Sequence, residues 1–378
     1  MNVAVFGGSF NPVHKEHINI AVAAINSLSL DKLIIMPSCS TPQKTGRLTA
    51  SGSDRLEMCR EAFSGIACAE VSDYEVKRGG VSYSYLTCRE FEKKYPDDTR
   101  YFIVGADMLA NFDKWKYPEE ILKYVSLAAC ARENSESFNA AREKFNLRFS
   151  KPVAEVGYVG KKVSSTRIRT LAALGEDVSA FTGEKIAQYI IDRGLYFMPE
   201  VAGVKKLLKP ERWAHTVRVA VMAAEHCVKA GVSEKTAIAA AALHDCAKNL
   251  SADDELLKGF TPPDGVPESV MHQYSGAYVA EKYFGVTDKD ILNAVGYHTS
   301  GRENMSALEK LIYLSDMLEE GRAYDGVEYL RKEFLRGLDY GMYAALDRQV
   351  KYLETTGRGI YSLTNSALNY FKEHKNDK

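Results

Sequence analysis

Short apolar runs alternate with amphipathic stretches along the first half of the chain. The runs are "VAVF" at 3–6, "KLIIMP" at 32–37 and "TRYFIVGAD" at 99–107, while Ile18 to Leu30 and "DRLEMCREAF" place apolar residues at helical spacing between them. This βαβ rhythm predicts a Rossmann-like α/β fold, a parallel sheet covered by helices. From about Pro210 onward no strand pattern recurs. Long helical periodicities follow one another instead, in "ERWAHTVRVAVMAAEHCVKAG", "EKTAIAAAALHDCAKNL", "ESVMHQYSGAYVAEKYFG" and "SALEKLIYLSDMLEEGR", so the second half is predicted all-α. The change falls near "YFMPEVAGV", where Pro199 and Gly203 punctuate the chain, and predicts domains at 1–198 and 203–378.

Composition narrows the chemistry. A chain of 378 residues that is 46% hydrophobic can bury two cores, and a formal net charge of −1 supplies no global field for nucleic acid or an anionic membrane. Phosphate binding would have to come from local donors. The seven cysteines, Cys39, Cys59, Cys68, Cys88, Cys130, Cys227 and Cys246, show no C-x-x-C spacing, which predicts free thiols in a reducing compartment. With no basic leader and no apolar run near the roughly 20 residues of a membrane span, the expectation is a mature, soluble, cytoplasmic chain.

The first strand ends on Gly7-Gly8, where a parallel sheet places its ligands and where glycine lets a backbone approach closely. His14 and His17 follow at the start of the next helix, three residues apart, so both rings can add donors at a helix N-terminus that favours anions. A tight turn with two surface histidines reads the same on this stretch alone. A second element, "VSSTRIR" at 163–169, sets Ser164, Ser165 and Thr166 ahead of Arg167 and Arg169. One hydroxyl suffices for a cap, whereas three with two guanidiniums suit a polyphosphate.

"GGSFNPVHKEH" with "SSTRIR" resembles the bacterial nicotinate-nucleotide adenylyltransferases of the HxGH nucleotidyltransferase superfamily. The resemblance runs over residues 1 to 198 and includes "TPQK", "VSYSYLT" and "GADMLANFDKW". It implies adenylyl transfer from ATP to nicotinate mononucleotide, with release of pyrophosphate, Mg²⁺ on the triphosphate and no covalent enzyme intermediate. By the same resemblance Gly7, Gly8, Ser9, Phe10, His14, His17, Lys44, Ser165, Thr166 and Arg169 bind ATP, with His14, His17 and Arg169 catalytic. Ser84, Asp107 and Trp115 lie at the nicotinate nucleotide. Glu16 replaces the glycine of His-x-Gly-His and is expected to bring a carboxylate toward the phosphates, while Lys116 stands where an aromatic commonly follows the tryptophan.

In the second half, His215, His244, Asp245, His272, His298 and Asp316 lie on separate helical patterns. Any one alone reads as a satisfied histidine on a partly buried face. His244-Asp245 stands out, because it sets two adjacent polar groups in the run "AIAAAAL", where burial would otherwise be costly. A shared divalent metal resolves that cost. The order H…HD…H…H…D resembles the HD phosphohydrolases, and "HDCAKNL", "HQYSGA" and "HTSGR" resemble the YqeK-type members over residues 203 to 378. That resemblance implies symmetrical hydrolysis of diadenosine tetraphosphate to ADP. Those six residues are the expected metal ligands, with His215, His244, Asp245 and Asp316 ahead of His272 and His298. Iron is the expected ion, with manganese or another divalent ion as alternatives. Asp245 and Lys248 are expected to be catalytic, and Lys248 and Arg322 to neutralise the polyphosphate. Ser300 and Glu320 depart from the usual HTTG and EPGR stretches without removing a ligand.

The resulting expectation is a bifunctional enzyme. Its partners are ATP, nicotinate mononucleotide and diadenosine tetraphosphate, without nucleic acid or membrane. The oligomeric state stays open, a homo-oligomer included. Two alternatives concern the helical half alone: a module that senses a nucleotide without cleaving it, or an enzyme for another nucleotide phosphate ester.

Overall fold

The computed structural model describes residues 1–40, 46–132, 135–160 and 163–375. The chain divides into two compact units. The first comprises 1–45, 49–169 and 177–196, and the second 46–48, 170–176 and 197–378.

Unit one is built on six strands: β1 (Asn2–Gly8), β2 (Lys32–Pro37), β3 (Ala69–Val71), β4 (Thr99–Gly105), β5 (Ser126–Arg132) and β6 (Ala154–Gly160). Every pairing is parallel, in the order β3-β2-β1-β4-β5-β6. The sheet is therefore doubly wound, with its switch point between β1 and β4, and a ligand crevice forms beyond the strand ends at such a point. Val3 and Val5 on β1, Ile34 and Met36 on β2, and Phe102 and Val104 on β4 share one core. Alternate residues on one face enter it together, as the period of two requires.

Helices cover the sheet. The Lys15–Leu28 helix packs Ala21 and Ala24 fully buried, and Ser29 ends it in a left-handed conformation with φ 47°. Gly7 and Gly8 lie where β1 leaves the sheet. A Cβ on Gly7 would come within 3.2 Å of the Phe102 ring, and one on Gly8 within 3.1 Å of the Phe10 ring. Their small size thus admits the protein's own aromatic rings, a reason the sequence pattern did not carry.

Unit two is helical. Its longer helices are Pro210–His226, Glu234–Leu243, Glu268–Lys282, Lys289–Gly296, Ala307–Leu318, Val327–Arg336, Leu338–Thr355 and Ser362–His374. No described residue beyond 210 is in a strand. The alanine-rich run 237–242, with Ile238 within it, is buried along its whole length, which lets neighbouring helices approach closely. Ser306 and Glu309 cap the Ala307–Leu318 helix reciprocally. The seven cysteines are free thiols. Among the described residues no helix is long and apolar enough to cross a membrane.

Candidate functional site

The first constellation lies at the carboxyl end of β1. His14 precedes the Lys15–Leu28 helix in an extended conformation, and His17 sits in its first turn with the two rings 3.7 Å apart between centroids. The His14 N–H donates to His17 Nδ1 at 3.2 Å. In the neutral His17 ring the proton then resides on Nε2. Phe10 is 1% exposed and packs edge-on against the His17 ring at 4.9 Å, so it supports that ring from within the core.

Several distant segments hold the loop between β1 and His14. The buried Arg55 guanidinium donates to the carbonyls of Ser9 (2.8 Å), Ser38 (2.6 Å) and Cys39 (3.2 Å), tying the ends of β1 and β2 together. Asn11 Oδ1 accepts from Ala50 N–H at 3.0 Å and from the Tyr196 hydroxyl at 2.8 Å. Arg169, also buried, donates to the Asn11 carbonyl at 2.7 Å and to Thr166 Oγ1 at 3.1 Å. Ser165 Oγ donates to the Pro12 carbonyl at 3.1 Å. Ser164 is the hydroxyl that caps, accepting from Arg167 N–H. The two motifs are therefore joined, with Ser165 and Arg169 bracing the loop that leads into His14.

Glu16 is buried, and its carboxylate accepts from Asn19 Nδ2 at 3.0 Å and from the Tyr158 hydroxyl on β6 at 2.8 Å. Both carboxylate oxygens are thus engaged within the protein, at the position the sequence suggested would bring a carboxylate toward the phosphates. Ser84 opens the Ser84–Lys94 helix, and Asp107 lies exposed in the first turn after β4. Trp115 is half-buried against Phe102 and Phe112. Lys116 reaches over the Tyr83 ring at 4.2 Å, which links the Trp115 stretch to the residue before Ser84. Lys44 lies outside the described residues.

The second constellation belongs to the helical unit. His244 and Asp245 emerge at the C-terminal end of the Glu234–Leu243 helix. Two groups of donor atoms fall within 4.8 Å of one another, His215 with His244 and Asp245, and Asp245 with His272 and His298. Asp245 belongs to both. Its Oδ2 lies 3.3 Å from His244 Nε2, and its Oδ1 lies 3.5 Å from the Nε2 atoms of both His272 and His298. Asp316 adjoins the first group through His215 Nε2 at 2.9 Å and is bonded to Arg322 at 2.7 Å. Lys248 Nζ lies 2.9 Å from His272 Nε2. Three neighbours were not anticipated. Arg212 bonds Asp245 Oδ2 at 3.0 Å, and Glu319 bonds His215 Nδ1 at 3.1 Å and Arg218 Nε at 2.6 Å. Their i−3 and i+3 spacing from His215 and Asp316 was the available signal.

Charge at this centre is finely opposed. Burial pushes the Asp245 carboxyl up, but His244 and His298 outweigh it and hold the group far below the usual carboxylate range. Asp316 is likewise held low against burial, by His215 and the neighbouring histidines and Arg322. Glu319 falls to about 2, because His215, Arg218 and the Gly321 N–H overcome its burial. Burial, then His298 and Lys248, lower His272 to about 3, so its ring is neutral and able to ligate at pH 7. Burial lowers Lys248 as well.

The donor set fits a metal. His215 Nε2, His244 Nε2 and Asp245 Oδ1 are buried and face one another, Asp316, His272 and His298 without well-aligned hydrogen bonds. Three such atoms beside one another are costly unless something binds them. Nitrogen and carboxylate donors converging from different helices suit a first-row divalent ion.

Residues 5–171 match the cytidylyltransferase-like family and residues 212–321 the HD domain family. A Mycoplasma genitalium protein named "Probable nicotinate-nucleotide adenylyltransferase/Ap4A hydrolase" is 29% identical over 325 residues, which cover 85% of this chain and 88% of that protein. A Clostridium botulinum protein named "Probable nicotinate-nucleotide adenylyltransferase" is 31% identical over 199 residues, covering 52% of this chain and 99% of its own length. The crystal structure of a Clostridium acetobutylicum protein titled "predicted HD superfamily hydrolase involved in NAD metabolism", 28% identical, covers 46% of this chain and 96% of its own, with a TM-score of 0.42. With residues 5–171 and 212–321 matched by these two families and the Clostridium botulinum relative covered over 99% of its length, the chain belongs to the nicotinate-nucleotide adenylyltransferase family and carries an HD domain.

Proposed function

We propose that this chain is a bifunctional enzyme of two nucleotide reactions, divided at 1–198 and 203–378. In the first, a phosphate oxygen of nicotinate mononucleotide attacks the α-phosphorus of ATP. The bond to the β-phosphate breaks, and pyrophosphate leaves with nicotinate adenine dinucleotide formed. Such a transfer is catalysed by positioning and charge stabilisation. His17 Nε2 and His14 serve as donors to the phosphates, on a loop that Arg55, Asn11 and Arg169 hold in place. Gly7, Gly8, Ser9, Lys44, Ser165 and Thr166 complete the ATP site, and Mg²⁺ arrives with the triphosphate. Ser84, Asp107 and Trp115 receive the nicotinate nucleotide.

In the second reaction water adds to a central phosphorus of diadenosine tetraphosphate, the central bridging bond breaks, and two ADP leave. His215, His244, Asp245 and Asp316 would hold a divalent ion, with His272 and His298 available to a second, and such an ion would supply an activated water and charge stabilisation for the phosphates. Iron is the ion expected. Lys248, Arg322 and Arg212 border these ligands and present cations to the polyphosphate. The observation that carries this reading is Asp245, a buried carboxylate shared by two histidine groups. The Mycoplasma relative, whose name joins both activities, supports the pairing with the transferase.

The test is product analysis on the purified chain. With ATP and nicotinate mononucleotide it yields pyrophosphate and nicotinate adenine dinucleotide, and with diadenosine tetraphosphate and Fe²⁺ or Mn²⁺ it yields ADP alone. Asp245→Ala should lower hydrolysis by at least ~100-fold and leave transfer intact, whereas His17→Ala should do the reverse. Loss of both activities from either change in a folded protein defeats the two-site reading. Silence of the second reaction alone returns the helical half to a sensor or to another phosphate ester.

A further inference from the structure

The histidines around Asp245 are not anchored alike. His244 Nδ1 donates to the Ala241 carbonyl at 2.7 Å, and His298 Nδ1 donates to the Val295 carbonyl at the same distance. In both, a main-chain acceptor one helical turn back fixes the tautomer and turns Nε2 toward the centre. His215 has a different partner for its Nδ1, the carboxylate of Glu319 at 3.1 Å.

Glu319 is 1% exposed, so a charge has been taken out of water at considerable cost. The cost is offset by full use of its oxygens. Arg218 donates to Oε2 at 2.6 Å and to Oε1 at 3.2 Å, and the Gly321 N–H also donates to Oε2. Gly321 itself approaches Arg218 so closely that a Cβ would lie 2.6 Å from its Nε, so the turn after Glu319 is shaped around this pair. The arrangement runs Arg218, Glu319, His215 and then its buried Nε2, which lies 2.9 Å from the expected ligand Asp316. A ligating histidine whose other nitrogen donates to a carboxylate is both oriented and made a stronger donor.

We infer that Glu319 is a positioning residue of the metal centre: its buried carboxylate, balanced by Arg218, holds His215 Nδ1–H so that Nε2 is turned toward Asp316 and the His244–Asp245 pair. Glu319 touches neither substrate nor metal and acts through His215. The inference rests on the metal reading of the helical unit, and the experiment separates the two.

The full-length chain is stripped with a chelator and titrated with Mn²⁺ alone, free ion being read by electron paramagnetic resonance. Wild type, Asp245→Ala, Glu319→Ala and Glu319→Gln are compared, each with a melting curve of its metal-free form. Glu319→Ala should weaken Mn²⁺ binding by about 10- to 100-fold, and Glu319→Gln, which keeps an acceptor oxygen for His215, should recover part of that loss. A purely structural role would lower the metal-free melting temperature and leave the affinity of the folded protein unchanged. Affinity within about twofold of wild type in a folded Glu319→Ala overturns the inference. If Glu319→Ala does not fold, Glu319→Asp decides, because it keeps the charge for Arg218 but draws the oxygens away from Nδ1. Weaker Mn²⁺ binding supports the relay, and wild-type affinity overturns it. Equal Mn²⁺ binding by wild type and Asp245→Ala would defeat the metal reading, and the relay with it.

Discussion

At the scale of single residues, Glu16 shows how a local pattern acquires its meaning from a distant partner. Its position between His14 and His17 suggests a carboxylate facing an anion site, yet the carboxylate accepts from Asn19 and from Tyr158, 142 residues away. Nothing within the motif signals a hydroxyl arriving from β6. A buried carboxylate that loses a donor costs about 1–3 kcal/mol. Tyr158→Phe should therefore lower the urea midpoint of the transition that belongs to the sheet-bearing unit, with hydrolysis of diadenosine tetraphosphate unchanged. An unaltered midpoint would mean that Asn19 and the other surroundings of Glu16 suffice. Other residues were plain from their spacing. His14 and His17 do meet ring to ring, and Asp245 does gather histidines from separate helices. Glu319 and Arg212 were legible only as i+3 and i−3 neighbours of expected ligands, and such spacing is too common on helices to single them out.

Elements were read well where burial is continuous and less well where a cap decides the end. "KLIIMP" is β2 from Lys32 to Pro37, as its apolar run predicts. The helix expected from Ile18 to Leu30 runs from Lys15 to Leu28. Its start is set by the His14 carbonyl, which accepts from His17 and Ile18, and its end by the left-handed Ser29. Neither is visible as hydrophobic periodicity. A comparable element-level device joins the Gly52–Phe63 helix to the Glu184–Asp192 helix through Asp54, which accepts from Tyr189 at 3.0 Å and Arg193 at 3.2 Å. Burial raises the Asp54 carboxyl, but the hydrogen bonds of Ser51, Tyr189 and Arg193 outweigh it and hold the group below its ordinary 3.8. A carboxyl with a lowered folded-state pKa stabilises fully above about pH 5 and loses that contribution as pH falls through the folded value. Asp54→Asn removes this dependence. The gap between the urea midpoints of wild type and Asp54→Asn should accordingly be wide at pH 6 and narrow at pH 3, and a gap that is constant with pH would show the charge to be irrelevant.

For the whole molecule, two compact units with separate cores predict separable responses to ligand. An ion that binds only the folded form stabilises it by about 2.7 kcal/mol when present at 100 times its dissociation constant. Adding Mn²⁺ to chelator-stripped protein should raise the calorimetric transition of the helical unit, restore hydrolysis, and leave adenylyl transfer with Mg²⁺ as it was. No shift in either transition would argue against a metal in the helical unit.

The amino-acid sequence by itself determined the order of the parts: a parallel α/β half, an all-α half, the paired histidines behind two glycines, and six histidines and aspartates spaced along helices. Those features depend on periodicity and residue type, which are local along the chain. The tertiary structure decided what each part touches. It turned Glu16 onto Tyr158, placed Ser165 and Arg169 as braces of the Asn11-Pro12 loop, filled the space over Gly7 and Gly8 with aromatic rings, and set Glu319 behind His215. These contacts are buried or half-buried, where a partner's identity depends on distance in space rather than separation in sequence.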